Sequence, residues 1–116
     1  NDLIRPALYG AHHDIVPLAE PAAGHPVKTY DVVGPICEST DKFAAGRSLP
    51  AVKPGDRLAF MSAGAYGAVL SSAYNARPLV PEVLVDGDRY EIVRRRPSFE
   101  EMLGLEKVPE WLTTEA

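Results

Sequence analysis

Apolar and polar positions alternate in short stretches and hold a helical period only briefly. Eleven prolines and nine glycines divide the 116 residues into pieces, a punctuation that favours strands and turns over long helices. Lys28 to Cys37 (KTYDVVGPIC) is β-rich and reads as a strand running up to the cysteine, with Gly34-Pro35 bending or bulging it. Lys53-Pro54-Gly55-Asp56 has turn chemistry and feeds a buried strand from Arg57 to Met61. Val83 to Val85, then Asp86-Gly87, then Arg89 to Arg94 is the clearest hairpin, because Asp-Gly tolerates the positive φ angles of a tight turn.

Three short helical segments interrupt these strands. Asp2 is placed to cap a turn running through Tyr9, with Pro6 tolerated because it falls in the first helical turn. The small-residue run Ser62 to Ala73 predicts a helix from Tyr66 on. Ser98-Phe99-Glu100-Glu101 is a capping box ahead of Met102, Leu103 and Leu105. That last helix is expected to pack on the sheets, with Trp111 and Leu112 behind it. No internal repeat or low-complexity segment is visible. The sum predicts a single all-β domain over residues 1–116, a barrel or sandwich with short helices.

Composition narrows the function classes. With 46% hydrophobic and 24% charged residues the chain is an ordinary globular sequence, long enough for one modest core. A net charge of −4 and a pI near 5.3 argue against a nucleic-acid partner. No run approaches the roughly 20 apolar residues that span a bilayer, so no membrane is implied, and no signal peptide opens the chain. A single cysteine makes no internal disulfide, which points to a reducing cytoplasm. An organised motif follows directly on Asn1, which reads as a piece of a longer chain.

Three constellations carry candidate chemistry. Cys37 reads either as a thiol closing an apolar strand or as a placed reactive group, since Glu38, Ser39, Thr40 and Asp41 follow it as a polar turn. Zinc is disfavoured because His12, His13, His25 and Cys37 lack ligand spacing. The segment SAGAYGAVLSSAYN, from Ser62 to Asn75, offers small residues and Tyr66 to an anion; packing against a sheet is the equal alternative. In NDLIRPALYGAHH, Arg5 and Tyr9 lie four apart and share a helical face, which suits a carboxylate clamp or a simple surface stack. His12, His13 and Asp14 read as surface groups before acid/base ones.

In this order, NDLIRPALYGAHH, GPICESTD, GAYG, YNARPLVPEVLV and PEWL resemble the C-terminal portion of the diaminopimelate decarboxylase family, within the fold-type III pyridoxal-phosphate-dependent decarboxylases. The resemblance implies the Greek-key-like C-terminal β-barrel domain of such an enzyme, without the (β/α)8 barrel that holds the cofactor. It implies that Arg5 and Tyr9 bind a substrate carboxylate, and that Tyr66 contacts substrate and the phosphate of pyridoxal 5'-phosphate. Cys37 and Glu38 would be lent across a homodimer interface, Cys37 as proton donor and Glu38 as the hold on the distal amino group of meso-diaminopimelate. The family's cofactor lysine has no counterpart among Lys28, Lys42, Lys53 and Lys107, so the 116 residues alone are expected to bind cofactor poorly and to catalyse nothing. Asn75 falls in the matching YN segment without a role.

One departure is Thr40, where the family's C-E-S-G-D motif has glycine; a β-branched residue resists φ > 0. A related decarboxylase acting on ornithine, arginine or a polyamine precursor is the sister reading, although ornithine enzymes carry Cys-Asp where this chain has Cys37-Glu38. From a different class, a non-catalytic β-barrel binding module also fits the composition. A sheet edge left open for want of strands from elsewhere in the parent chain is a further expectation.

Overall fold

The structure is a computed structural model that describes residues 3–113. It divides into two compact units, the first running through Asn75 and the second starting at Ala76. The first unit contains α1 (Pro6–Tyr9), β1 (Ile15–Pro17), β2 (Val27–Val33), β3 (Lys42–Pro50), β4 (Leu58–Phe60) and α2 (Gly64–Leu70). β1 pairs antiparallel with β4, and β2 with β3. Ile15, Ala44 and Leu49 are buried together, with Tyr30, Val32, Leu58 and Phe60 packed against them. Burying Ile15 and Leu49 contributes about 1.5–3 kcal/mol each, and the small Ala44 less. Phe43 and Phe60 add a tilted ring pair at 4.7 Å, and the Tyr30 hydroxyl accepts from the Val52 amide at 3.0 Å.

The class, mostly strands with short helices, is the one observed, but the sheets do not close into a barrel. They are three separate two-stranded ladders. Prolines explain part of this: β1 ends on Pro17 and β3 on Pro50, where a missing N–H stops the ladder. β2 also ends earlier than the sequence suggests, at Val33 rather than Cys37. Gly34 to Asp41 is therefore the connection between β2 and β3, and Cys37 lies on a loop, not at a strand end.

The helices match in kind and differ in their bounds. Pro6 is the first residue of α1 and Arg5 its N-cap; the expected Asp2 cap lies outside the described residues. α2 begins at Gly64, two residues before Tyr66, and stops where Ser71 turns extended. In the second unit, β5 (Glu82–Asp86) and β6 (Arg89–Arg94) form the expected hairpin, and Gly87 takes the positive φ of 63° that its turn needs. α3 (Phe99–Leu103) starts with the complete capping box of Ser98 and Glu101. α4 (Glu110–Thr113) follows. Trp111 and Leu112 are 77% and 66% exposed, so they do not form the buried layer expected behind α3. Among the described residues, no helix is long and apolar enough to cross a membrane.

Candidate functional site

The first site element is a cavity of about 390 Å³ between the α1 and α2 segments. Its polar lining is Arg5, Tyr9, His12, His13, Ser62 and Tyr66, with Ile4, Val69 and Leu70 among its apolar wall. Local folding explains the convergence. Ile4 and Pro6 are buried and anchor the start of α1. Gly10 ends that helix in the left-handed region, which sends the chain through His12 and His13 toward β1. The Met61 amide donates to the Asp14 carbonyl at 2.8 Å, and His13 Nδ1 lies 3.1 Å from the Met61 carbonyl oxygen. These contacts seat the start of α2 beside the end of α1.

Ser62 stands at that joint with φ 52°, a conformation costing a non-glycine residue roughly 1–2 kcal/mol. Such strain persists only where surroundings enforce it, and it recurs at ligand sites. Asn75 also adopts positive φ, 57°, where asparagine is tolerated; here it bends the backbone and does not line the cavity.

Arg5, Tyr9 and Tyr66 are thus brought together, each exposed enough to meet a ligand. The set suits an anion: a guanidinium can donate a bidentate fork to a carboxylate, and the tyrosine and serine hydroxyls donate to further oxygens. It fits the acidic end of a phosphate-bearing cofactor as well. No lysine is among the residues that line the cavity.

His12 and His13 also line the cavity, and they remain the surface residues expected, His12 exposed and His13 half-buried. Their position just beyond the helix-ending Gly10, after Ala11, was the available signal. Behind them, Arg47 of β3 donates to the His13 carbonyl at 2.9 Å and lies 3.2 Å from His12 Nδ1. Arg47 is 34 residues from His13, and no local pattern marks it.

The second element is the β2–β3 connection carrying Cys37 and Glu38. Cys37 is exposed and Glu38 half-buried; neither lines the cavity. The loop is tied internally. The Gly34 amide donates to the Asp41 carbonyl at 3.0 Å, Glu38 N–H to the Ile36 carbonyl at 2.9 Å, and Asp41 N–H to the Glu38 carbonyl at 3.1 Å. The Ile36 amide donates to the Asp41 side chain at 2.6 Å. The Glu38 carboxyl is held below the usual carboxylate range, with the Arg5 guanidinium and the Thr40 hydroxyl among the groups that lower it. Thr40 is not among the positive-φ residues. The turn therefore accepts threonine in place of glycine without left-handed backbone.

Comparison with known proteins gives a consistent picture. The family described as pyridoxal-dependent decarboxylase, C-terminal sheet domain, matches residues 1–64. The diaminopimelate decarboxylase of Archaeoglobus fulgidus is 48% identical over 97% of this chain and 26% of its own length. That of Zymomonas mobilis is 50% identical, again over 97% of this chain and 26% of its own. The crystal structure of diaminopimelate decarboxylase from M. jannaschii in co-complex with L-lysine aligns with a TM-score of 0.84 at 32% identity, covering 96% of this chain and 25% of that one. The chain spans about a quarter of the length of the curated relatives it matches.

Proposed function

Because the chain belongs to the pyridoxal-dependent decarboxylases, matching their C-terminal sheet domain, we propose that it is that domain of a diaminopimelate decarboxylase. The parent enzyme converts meso-diaminopimelate to L-lysine and carbon dioxide, in the cytoplasm, as a homodimer with shared active sites. The observation that carries this reading is the pairing of two chemically opposite elements in one chain: a cavity with Arg5 and Tyr9, and a loop with Glu38 beside the only thiol. The proposed substrate has an amino-acid head at each end and so needs both a cation and an anion to read it.

When bound, pyridoxal phosphate supplies the electron sink that lets the α-carboxylate leave. This chain's residues do the rest of the positioning. Tyr66 donates its hydroxyl toward the phosphate and the substrate, and Arg5 with Tyr9 grips a carboxylate. Glu38 accepts from the distal ammonium. Cys37 Sγ gives its proton to the α-carbon that carbon dioxide has left, as a general acid positioned at that carbon. Cys37 and Glu38 serve the active site of a second copy of the chain. The exposed Cys37 thiol, which does not line its own chain's cavity, supports that arrangement.

The test is a substrate panel on the full-length parent enzyme. Turnover is expected with meso-diaminopimelate and far less with ornithine or arginine, since a site built to pair both heads rejects analogues lacking one. Preference for ornithine would sink the reading. In the same enzyme Cys37→Ala is expected to lower turnover by about 10²–10⁴-fold, the range for a lost general acid, with cofactor absorbance nearly unchanged. The 116 residues alone are expected to show no decarboxylation.

A further inference from the structure

We propose that Asp41 is a positioning residue for the Cys37–Glu38 loop: its buried carboxylate fixes the β2–β3 connection in the one shape that presents both groups. The inference rests on the decarboxylase reading of Cys37 and Glu38 and assigns a role to a residue outside that pair.

A connection running from Gly34 to Asp41 is long for a hairpin, and length alone leaves its shape open. The ladder beneath it does not set that shape either, because its register shifts between Tyr30 and Val32 and again between Val32 and Val33. Asp41 does. It is 3% exposed, the one buried charged residue among those described. Its backbone carbonyl accepts from Gly34 N–H at 3.0 Å, which closes the loop at its base. Its amide donates to the Glu38 carbonyl at 3.1 Å, and its Oδ2 accepts from the Ile36 amide at 2.6 Å. Cys37 and Glu38 are therefore bracketed: the residue before the thiol and the carbonyl of Glu38 itself are both held by Asp41.

Gly34 supports the same conclusion from the other side. A Cβ built at Gly34 would overlap the Asp41 carboxylate, so glycine is what allows that side chain to fold back under the loop. A carboxylate–amide bond is charge-assisted and stronger than a neutral one. Removing it leaves a partly buried Ile36 N–H without its acceptor, and the loop must shift to find another.

The experiment uses the full-length parent enzyme. Asp41→Ala is expected to lower kcat/KM about ten- to a hundredfold, the scale on which a displacement near 1 Å matters, and to change the alkylation rate of Cys37 by iodoacetamide severalfold, read on the Cys37 peptide by mass spectrometry. Asp41→Asn keeps an acceptor oxygen for Ile36 and is expected to recover most of the loss. On a Cys37→Ala/Glu38→Gln background, Asp41→Ala is expected to cost nothing further, since Asp41 acts only through those two groups. An equal loss on that background, loss of the dimer, or unchanged kcat/KM and alkylation would each overturn the inference. Should Asp41→Ala not fold, hydrogen exchange in the unmodified enzyme decides: the Ile36 amide must exchange as slowly as the β2–β3 ladder, and fast exchange overturns the proposal. If Cys37→Ala and Glu38→Gln by themselves leave decarboxylation intact, it is the decarboxylase reading that falls.

Discussion

The first unit buries Ile4, Ile15, Ala44, Leu49 and the Asp41 carboxylate, whereas no described residue after Asn75 is buried. One region is held by side chains brought together from distant positions. The other is held by short-range devices: a glycine turn, a capping box, and ion pairs of Arg94 with Glu82 and Arg95 with Glu101. The candidate site residues all lie in the first. Groups from Arg5 to Tyr66 must be fixed to within a fraction of an ångström to act together, and a cooperative core does that better than exposed pairs worth ~0–1 kcal/mol each.

The comparison breaks first, if it breaks, at Leu49. Leu49→Ala removes a 4%-exposed side chain from the Ile15–Ala44 cluster and is expected to cost about 2–5 kcal/mol, read by urea unfolding. Ile92→Ala removes a side chain of the same size class at 56% exposure and should stay within about 0.5 kcal/mol. Equal costs at the two positions would mean that the hairpin owns a core of its own and that the contrast is false.

What was legible in the sequence follows the same division. Asp86-Gly87 and Ser98 with Glu101 encode their structures within three or four residues, and each appears as read. Arg5, Tyr9 and Tyr66 line one cavity, although Arg5 precedes α1 as its N-cap and does not share the helical face its spacing suggested. The end of β2 was not legible. Val33 ends that strand because Asp41, eight residues on, occupies the space beside Gly34, and no local propensity contains that fact. Arg47, reaching back to His12 and His13, was hidden for the same reason. Sheet closure was over-read: apolar strands bounded by turns fit a barrel, but short ladders ending on prolines pair two by two.

Within the second unit, the local devices are expected to rank by how far each substitution departs from the backbone it meets. Gly87→Ala places a side chain at φ 63° and should cost about 1–2 kcal/mol, more than any exposed ion pair there. Ser98→Ala removes the acceptor for the Glu101 amide, a 3.1 Å bond, and should cost about 1 kcal/mol. Both are measurable as shifts in the urea midpoint at unchanged slope. A cost at Ser98 comparable with that at Leu49 would place long-range packing where only a cap is visible.

The smallest expected effect is electrostatic, and its sign is fixed. The Arg95 guanidinium, and after it the Ser98 amide, push the Glu101 carboxyl down to about 2 from an ordinary 4.5. A depressed folded pKa means the charged form is favoured in the native state. The contribution is therefore whole above the ordinary value and fades as pH falls from 4.5 through about 2. Arg95 stays protonated throughout, so the loss belongs to Glu101 alone. An NMR titration of the Ser98 amide should show a midpoint near 2, and Glu101→Gln should abolish it. Because the pair is exposed, salt separates it from anything held by the core. Raising ionic strength from about 0.1 M to about 1 M shortens the screening length from roughly 10 Å to roughly 3 Å. The Glu101 midpoint should then climb, while the bond between the Ile36 amide and the buried Asp41 carboxylate should respond far less.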